Sequence, residues 1–362
     1  PARKKGLTGG PKDSKKGLMG ALPSSMGCGH FLLTMLALPC LGDPETFEDN
    51  SLLQKAGQKG AGAVSSPCPT RNATSIYTYA TDEHGKPLQL IVYRPNISQE
   101  GLADTPLIMF FGGSGWQGTM EEGLEMPESM AKGGELFLDR GWTVAVGPYP
   151  GYTEANAEMF FPQTLHVAVA QLRYLRGRAS AIGIVPSKIA AWGQSSGGWF
   201  AAMLGASGSK QFSEAGLLGT VGSPDLLSVP TSLCAVSGFY GAYSPWLTLQ
   251  PYPQSQWPLS PQYKMMDPDI RNEKGLRSAS VYTNDSTYLN KSRGAPPMFL
   301  SFGTSDKELS PNQTMRLVEL LDELNIENKF IPVPGAGHGD PKINDNITIL
   351  TKMFSFVNRS CQ

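Results

Sequence analysis

Short, continuously apolar runs alternate with segments of helical periodicity from about residue 106 to about residue 357. The apolar runs are PLIMFFGG (106–113), WTVAVGPY (142–149), KIAAWGQS (188–195), SLCAVSGFYG (232–241), PMFLSFG (297–303) and KFIPVPG (329–335). A strand that is apolar on both faces must be covered on both faces, and helices between such strands provide the cover. The sequence therefore predicts an α/β fold with a mostly parallel central sheet and helices on both faces.

Three segments depart from this alternation. LQLIVYRP (88–95) follows the turn-forming DEHGKP and alternates apolar with polar residues, which is typical of a hairpin strand. Residues 43–75 are polar, and we expect them to wrap the surface or remain loose. Residues 240–295 are rich in proline and aromatic residues, which predicts a cap-like lid or binding wall, or a surface excursion packed on its own aromatics. The predicted organisation is a leader (1–42), a polar segment (43–75) and one domain (76–362) with an insertion at about 240–295.

The leader is typical of a secretory signal peptide. Residues 1–25 contain six basic residues and one acid, and the apolar run Phe31–Leu41 follows them. That run is too short to span a bilayer, and small residues near its end favour cleavage close to residue 42. A leader with a chance apolar patch is the alternative. The rest of the chain carries about −6, which argues against nucleic-acid binding because phosphate contacts need clustered lysine and arginine.

Sequons for N-glycosylation are unusually frequent. They begin at Asn72, Asn96, Asn284, Asn290, Asn312, Asn346 and Asn358. Seven of the thirteen asparagines begin a sequon, whereas chance predicts about two. The excess predicts a glycoprotein of the secretory route, unless sequons have simply accumulated in polar loops.

Three cysteines lie after the predicted cleavage site. Cys234 is in an apolar run, which predicts a buried thiol. Cys68 and Cys361 flank the domain, so a disulfide between them is one possibility in an oxidising compartment. No cysteine pair has the spacing of a metal site, and we expect no metal.

The segment Gly193-Gln194-Ser195-Ser196-Gly197 joins a predicted strand to a predicted helix of small residues. In open α/β sheets, ligands bind at the carboxyl ends of the strands. A serine in a sharp strand-to-helix turn exposes its hydroxyl there, and flanking glycines relieve the crowding. The pattern predicts that Ser195 is a nucleophile and that the N–H of Ser196 donates to an oxyanion.

A serine hydroxyl needs a general base within hydrogen-bond reach. His338 lies in the glycine-flanked loop VPGAGHGD after an apolar run, which makes it the candidate base. His84 belongs to a turn at the start of the domain and His166 to a helical run, where packing or surface roles are more typical.

The imidazole in turn needs an anion that holds its tautomer. Asp306 follows the apolar run 297–303 and is the candidate. Glu308 opens the next turn and Asp340 is only two residues from His338, so both are weaker alternatives. The resulting order of serine, acid and histidine is the one expected for this kind of sheet.

The turn in MFFGGSGW ends another apolar run and contains flexible glycines. Its N–H groups at Gly113 and Ser114 are the candidate oxyanion donors, unless the turn is only structural. Aromatic residues are candidates for the wall of a substrate pocket: Trp116, Tyr240, Trp246 and Trp257.

Residues from about 76 to 357 resemble the α/β-hydrolase superfamily, and within it the esterase/lipase branch related to hormone-sensitive lipases and feruloyl-esterase-like proteins. The motifs that carry the resemblance are PLQLIVYRP, the Gly-Gly-x-Gly-Trp turn at 112–116, SKIAAWGQSSGGWFAA, FGTSDKELSP and GAGH. This branch usually has a histidine before the glycines of the turn, where the present sequence has Phe111 or Gly112.

The resemblance implies a catalytic triad and an oxyanion hole at the positions already singled out. They are Ser195, Asp306 and His338 for the triad, and Gly113, Ser114 and Ser196 for the hole. The implied reaction is hydrolysis of a small-molecule carboxylic ester through an acyl-enzyme, with no metal or organic cofactor. A serine peptidase or amidase of the same fold, and a non-catalytic binding module, are the alternatives.

Overall fold

An eight-stranded sheet organises the computed structural model, which describes residues 74–82, 85–96, 104–119, 124–152 and 159–362. The strands are β1 (Thr74–Thr81), β2 (Pro87–Tyr93), β3 (Thr105–Phe111), β4 (Thr143–Val146), β5 (Ile184–Gln194), β6 (Val236–Phe239), β7 (Met298–Gly303) and β8 (Asn328–Val333). Their order across the sheet is β1-β2-β4-β3-β5-β6-β7-β8. β2 pairs antiparallel with β1 and β4, whereas all pairs from β4 to β8 are parallel. The predicted hairpin at β2 and the mostly parallel sheet are confirmed.

Helices fill the connections between the strands. They are α1 (Glu128–Leu138), α2 (Gln163–Gly177), α3 (Ala179–Ile182), α4 (Ser196–Ala206), α5 (Lys210–Glu214), α6 (Pro245–Leu249), α7 (Pro261–Lys264), α8 (Glu273–Ser278), α9 (Pro311–Glu323), α10 (Pro341–Asn344) and α11 (Ile347–Ser360). None of the helices in the described ranges is long and apolar enough to cross a membrane.

β3 shows why the central strands are apolar throughout. Leu107, Met109 and Phe111 point into one hydrophobic cluster, which α2, α4 and α9 cover. Ile108 and Phe110 point into a second cluster, which α1 and α11 cover. Because successive side chains of a strand alternate between faces, a sheet covered twice needs apolar residues at every position.

The insertion at 240–295 is built from the short helices α6, α7 and α8 and three 3₁₀ turns, Gln254–Leu259, Pro268–Ile270 and Lys291–Arg293. Aromatic residues pack within it: the ring centroids of Trp246 and Trp257 lie 5.8 Å apart in an edge-to-face arrangement. The expected irregular segment is therefore present and is held by its own aromatic contacts.

A disulfide joins Cys234 to Cys361, with an S–S distance of 2.01 Å. It connects the approach to β6 with the end of α11, which packs against β6. The prediction of a free, buried thiol at Cys234 is wrong, and Cys361 is not available to Cys68. The two bonded cysteines are 127 residues apart, and only the return of α11 to the sheet brings them together. Cys68, the predicted leader and Asn72 lie outside the described residues.

Candidate active site

Ser195 occupies a sharp turn between the end of β5 and the start of α4. Its backbone has φ 53° and ψ −123°, which is an uncommon conformation for a residue with a side chain. The N–H of Ser195 donates to the carbonyl of Phe239 at 3.0 Å, which ties the turn to β6. Strained residues of this kind cluster at functional sites because the surrounding structure must hold them in place.

The glycines beside Ser195 are required by close backbone packing. A Cβ on Gly193 would lie 1.9 Å from the carbonyl oxygen of Gly197. A Cβ on Gly197 would lie 2.0 Å from the carbonyl oxygen of Phe111 in β3. Since real Cβ atoms do not approach so closely, only glycine allows α4 to begin directly above the sheet.

Three side chains from three loops form a continuous hydrogen-bonded line. Nε2 of His338 lies 2.9 Å from Oγ of Ser195, and Nδ1 of His338 lies 2.8 Å from Oδ2 of Asp306. The other carboxylate oxygen of Asp306 accepts the N–H groups of Glu308 and Leu309, each at 2.9 Å. Because a carboxylate only accepts, Nδ1 of His338 carries the proton and Nε2 is free to accept from Ser195.

The line is shielded from water at the acidic end. The side chain of Asp306 is 1% exposed and that of His338 is 13% exposed. A buried carboxylate that is paired and hydrogen-bonded acts on its neighbour with little screening, so it can stabilise an imidazolium.

The alternative acids occupy other positions. Asp340 caps α10 by accepting the N–H of Lys342 at 2.9 Å, and it also accepts the N–H of Gly337. The bond from Lys342 is the main cause that lowers the pKa of Asp340. Glu308 is 75% exposed, and its carboxylate approaches Nε2 of His338 at 3.8 Å rather than Nδ1.

The other histidine within the described ranges, His166, lies away from this line. It is in α2, and its Nε2 lies 3.0 Å from the carbonyl oxygen of Gly216. Burial lowers the pKa of His166, which favours a neutral packing role. His84 falls outside the described residues.

The loop after β3 lies directly against Ser195. A Cβ on Gly113 would lie 2.8 Å from Cβ of Ser195. The N–H of Ser114 donates to Oγ of Ser196 at 3.0 Å, so this group already has an acceptor. The choice of Ser114 as an oxyanion donor therefore needs correction. The N–H groups of Gly113 and Ser196 are not hydrogen-bonded within the described part of the chain.

Ser195 is part of the lining of two cavities. The larger has a volume of about 650 Å³, and the insertion forms one of its walls with Leu249 and Trp257. The smaller has a volume of about 300 Å³ and is more polar, with Ser129, Gln194 and Asn344 in its lining. Ser195 therefore contributes to the lining of both cavities.

The predicted aromatic residues are divided between these spaces. Trp116 and Trp257 line the larger cavity. Tyr240 lines the smaller one, with its ring centroid 4.8 Å from that of His338 and its hydroxyl donating to Asn344. Trp246 lines neither cavity and packs behind Trp257, because the insertion turns it into the core.

Sequence reasoning missed Tyr149, which lies just after β4 and contacts the loop after β3 through its hydroxyl. A signal was available, because Tyr149 follows the carboxyl end of an apolar run, where open α/β sheets place their ligands.

Comparison with known families decides the assignment of the fold. A family model described as BD-FAE matches residues 90–321, which is more than half of the chain. The chain belongs to the BD-FAE family. BD-FAE proteins form an esterase family of the α/β-hydrolases, and the strand order described above agrees with that fold.

Solved structures of esterases share the fold of this BD-FAE protein. A truncated carbohydrate esterase from gut microbiota is 21% identical with a TM-score of 0.64, covering 82% of this chain and 99% of its own. The butyrate-bound esterase 2 of Thermogutta terrifontis is 22% identical with a TM-score of 0.60, covering 79% of this chain and 94% of its own. A carboxylesterase of Lactobacillus plantarum WCFS1 is 14% identical with a TM-score of 0.55, covering 75% and 85%. A search of the curated proteins finds no match.

Proposed function

We propose that this protein hydrolyses uncharged carboxylic esters by acyl transfer through Ser195. The observation that carries the proposal is the hydrogen-bonded line from Ser195 through His338 to Asp306, with distances of 2.9 and 2.8 Å. Its place in an esterase family supports the same chemistry.

In the first half of the reaction, Nε2 of His338 takes the proton of Ser195 while Oγ attacks the ester carbonyl. The N–H groups of Gly113 and Ser196 stabilise the tetrahedral oxyanion, since neither has another acceptor in the described chain. The imidazolium, stabilised by Asp306, gives its proton to the departing alcohol. An acyl ester on Ser195 remains.

In the second half, water replaces the alcohol. His338 takes a proton from this water, whose oxygen attacks the acyl carbonyl, and a second oxyanion forms in the same hole. Collapse of this intermediate releases the carboxylic acid and returns the proton to Oγ of Ser195. The enzyme is restored without any change in oxidation state.

The larger cavity favours an uncharged substrate. Apolar walls from Trp116, Leu249 and Trp257 are combined with neutral polar groups such as Gln256. Apart from His338, Glu308 is the one Asp, Glu, Lys, Arg or His side chain among the described residues that line it. A carboxylate at this position repels anionic substrates.

The test is a p-nitrophenyl ester series from acetyl to palmitoyl, run on the wild type, Ser195→Ala and the control Ser213→Ala, which changes an exposed serine. We expect turnover with a chain-length optimum in the wild type and the control, and its loss in Ser195→Ala. Labelling by a fluorophosphonate should follow the same pattern. Turnover retained in Ser195→Ala would refute the proposal, and faster cleavage of peptides than esters would replace it with a peptidase. Absence of both labelling and turnover in the wild type would favour a binding module.

We also propose that the protein follows the secretory route and is N-glycosylated. The disulfide supports this, because such bonds persist in oxidising compartments. Asn284 and Asn312 are exposed sequon sites, whereas the side chains of Asn346 and Asn358 accept hydrogen bonds from α11 and Trp142. We expect glycans at the first two. Protein expressed in a eukaryotic secretory host should lose mass on endoglycosidase treatment, and the double variant Asn284→Gln/Asn312→Gln should lose less mass than the wild type. Secreted protein that loses no mass would refute the proposal of N-glycosylation.

A further inference from the structure

Three hydroxyl groups connect the loop after β3, the segment after β4 and the start of α4. Oη of Tyr149 lies 2.7 Å from the carbonyl oxygen of Gly112, 2.9 Å from Oγ of Ser196 and 3.1 Å from Oγ of Ser114. The contacts converge on the loop that carries Gly113 and on the residue that follows Ser195. They join the two parts of the chain that border the nucleophile.

Only one arrangement of protons satisfies this network. The carbonyl of Gly112 can only accept, so it takes the single proton of Tyr149. Ser196 and Ser114 must then donate their hydroxyl protons to Oη of Tyr149. Each serine oxygen remains free to accept: Ser196 from the N–H of Ser114 at 3.0 Å, and Ser114 from the N–H groups of Gln117 and Gly118 at 3.2 and 3.0 Å.

Tyr149 is itself firmly held. It is 5% exposed, and its ring packs against that of Phe200 in α4, with the centroids 4.2 Å apart. Burial raises the pKa of Tyr149, so the phenol keeps its proton at neutral pH. The network therefore has one stable pattern of donors and acceptors, which makes it rigid.

The consequence concerns the oxyanion donors. Gly113 lies between two members of the network, Gly112 and Ser114. Ser196 is itself a member, because its hydroxyl donates a hydrogen bond to Oη of Tyr149. We propose that Tyr149 is a positioning residue that sets the spacing between the N–H groups of Gly113 and Ser196. This role rests on the proposed function, since it matters only if an oxyanion forms there.

Tyr149→Phe is the direct test, because it keeps the ring and removes only Oη. Displacement of an oxyanion donor costs transition-state stabilisation more than substrate binding. We expect kcat to fall about 10- to 100-fold with KM within about threefold. The rate of labelling by a fluorophosphonate, whose phosphoryl oxygen occupies the same hole, should fall by a similar factor.

Tyr282→Phe is the matched control. Tyr282 is also buried, and its hydroxyl also donates to a backbone carbonyl, that of Gln313 at 2.6 Å, but it lies in the insertion and touches none of the network. We expect a comparable change in thermal stability and a kcat within about twofold of the wild type.

Ser196→Ala removes a second bond of the same network and serves as the test if Tyr149→Phe does not fold. Because both changes break one unit, the double variant should lose about as much kcat as the more impaired single variant, rather than the product of the two losses.

The outcomes separate the two proposals. If Ser195→Ala abolishes turnover while Tyr149→Phe and Ser196→Ala keep the wild-type kcat, the positioning role is overturned and the proposed function stands. A rise in KM without loss of kcat, or multiplicative losses in the double variant, also overturns the role. Turnover retained in Ser195→Ala overturns the proposed function, and the role of Tyr149 with it.

Discussion

Removal of the disulfide should destabilise the domain by an amount that follows from the length of the loop it closes. Cys234 and Cys361 are separated by 127 residues. In the chain-entropy treatment, a cross-link over a loop of this length lowers the free energy of folding by about 5 kcal/mol at 25 °C, by restricting the unfolded chain. The double variant Cys234→Ala/Cys361→Ala loses this contribution.

The free energy of folding that the disulfide contributes also gives the expected shift in melting temperature. The domain from residue 74 to residue 362 spans 289 residues, and at about 2.1 cal/mol/K per residue its unfolding entropy is about 0.6 kcal/mol/K. A loss of 5 kcal/mol therefore lowers Tm by about 8 °C.

Urea unfolding and calorimetry of the oxidised wild type, the reduced wild type and the double variant provide the measurement. We expect reductant to lower the stability of the wild type toward that of the double variant, and to leave the double variant unchanged. A difference below about 1 kcal/mol between the oxidised wild type and the double variant would refute the reasoning, because it would mean that closing this loop restricts the unfolded chain very little.

Three further predictions concern the site. Asp306→Asn places an amide where the carboxylate accepts three hydrogen bonds, so kcat should fall about 10³- to 10⁴-fold. In the control Asp340→Asn, the side chain can still cap α10 and kcat should stay within a few-fold of the wild type, so equal activities of the two variants would contradict the assignment of the acid. Glu308→Gln removes a negative charge, so kcat/KM for cationic esters, divided by kcat/KM for neutral esters, should fall about two- to fivefold at low salt and hardly at all at high salt. A ratio that does not change at low salt would show that Glu308 does not face the bound substrate. Gly197→Ala should yield no folded enzyme, since its Cβ would lie 2.0 Å from the carbonyl oxygen of Phe111. In the control Gly337→Ala, the new Cβ meets nothing within 4 Å, so calorimetry should give a Tm within about 2 °C of the wild type. Similar Tm values for the two variants would contradict the steric argument.

Local patterns determined the class of fold. The apolar run at β3 is continuous because both faces of the sheet are covered, and that pattern is readable in the sequence without any knowledge of distant contacts. The turn at Ser195 could be predicted from the sequence for a similar reason. Gly193 and Gly197 are glycines because a Cβ at either position would collide with backbone atoms a few residues away or in the adjacent strand. The structure then brings Ser195, His338 and Asp306 within hydrogen-bond distance.

Only the tertiary structure decided which distant groups meet. Cys234 pairs with Cys361 because α11 returns to β6, and the N–H of Ser114 is taken by Ser196 because the loop after β3 closes over α4. Trp246 turns into the core rather than into a cavity. Residue spacing and composition indicate which segments form strands or helices and which of their faces are buried. The residue that a given thiol, N–H group or aromatic ring contacts depends instead on packing between segments that are far apart in the chain.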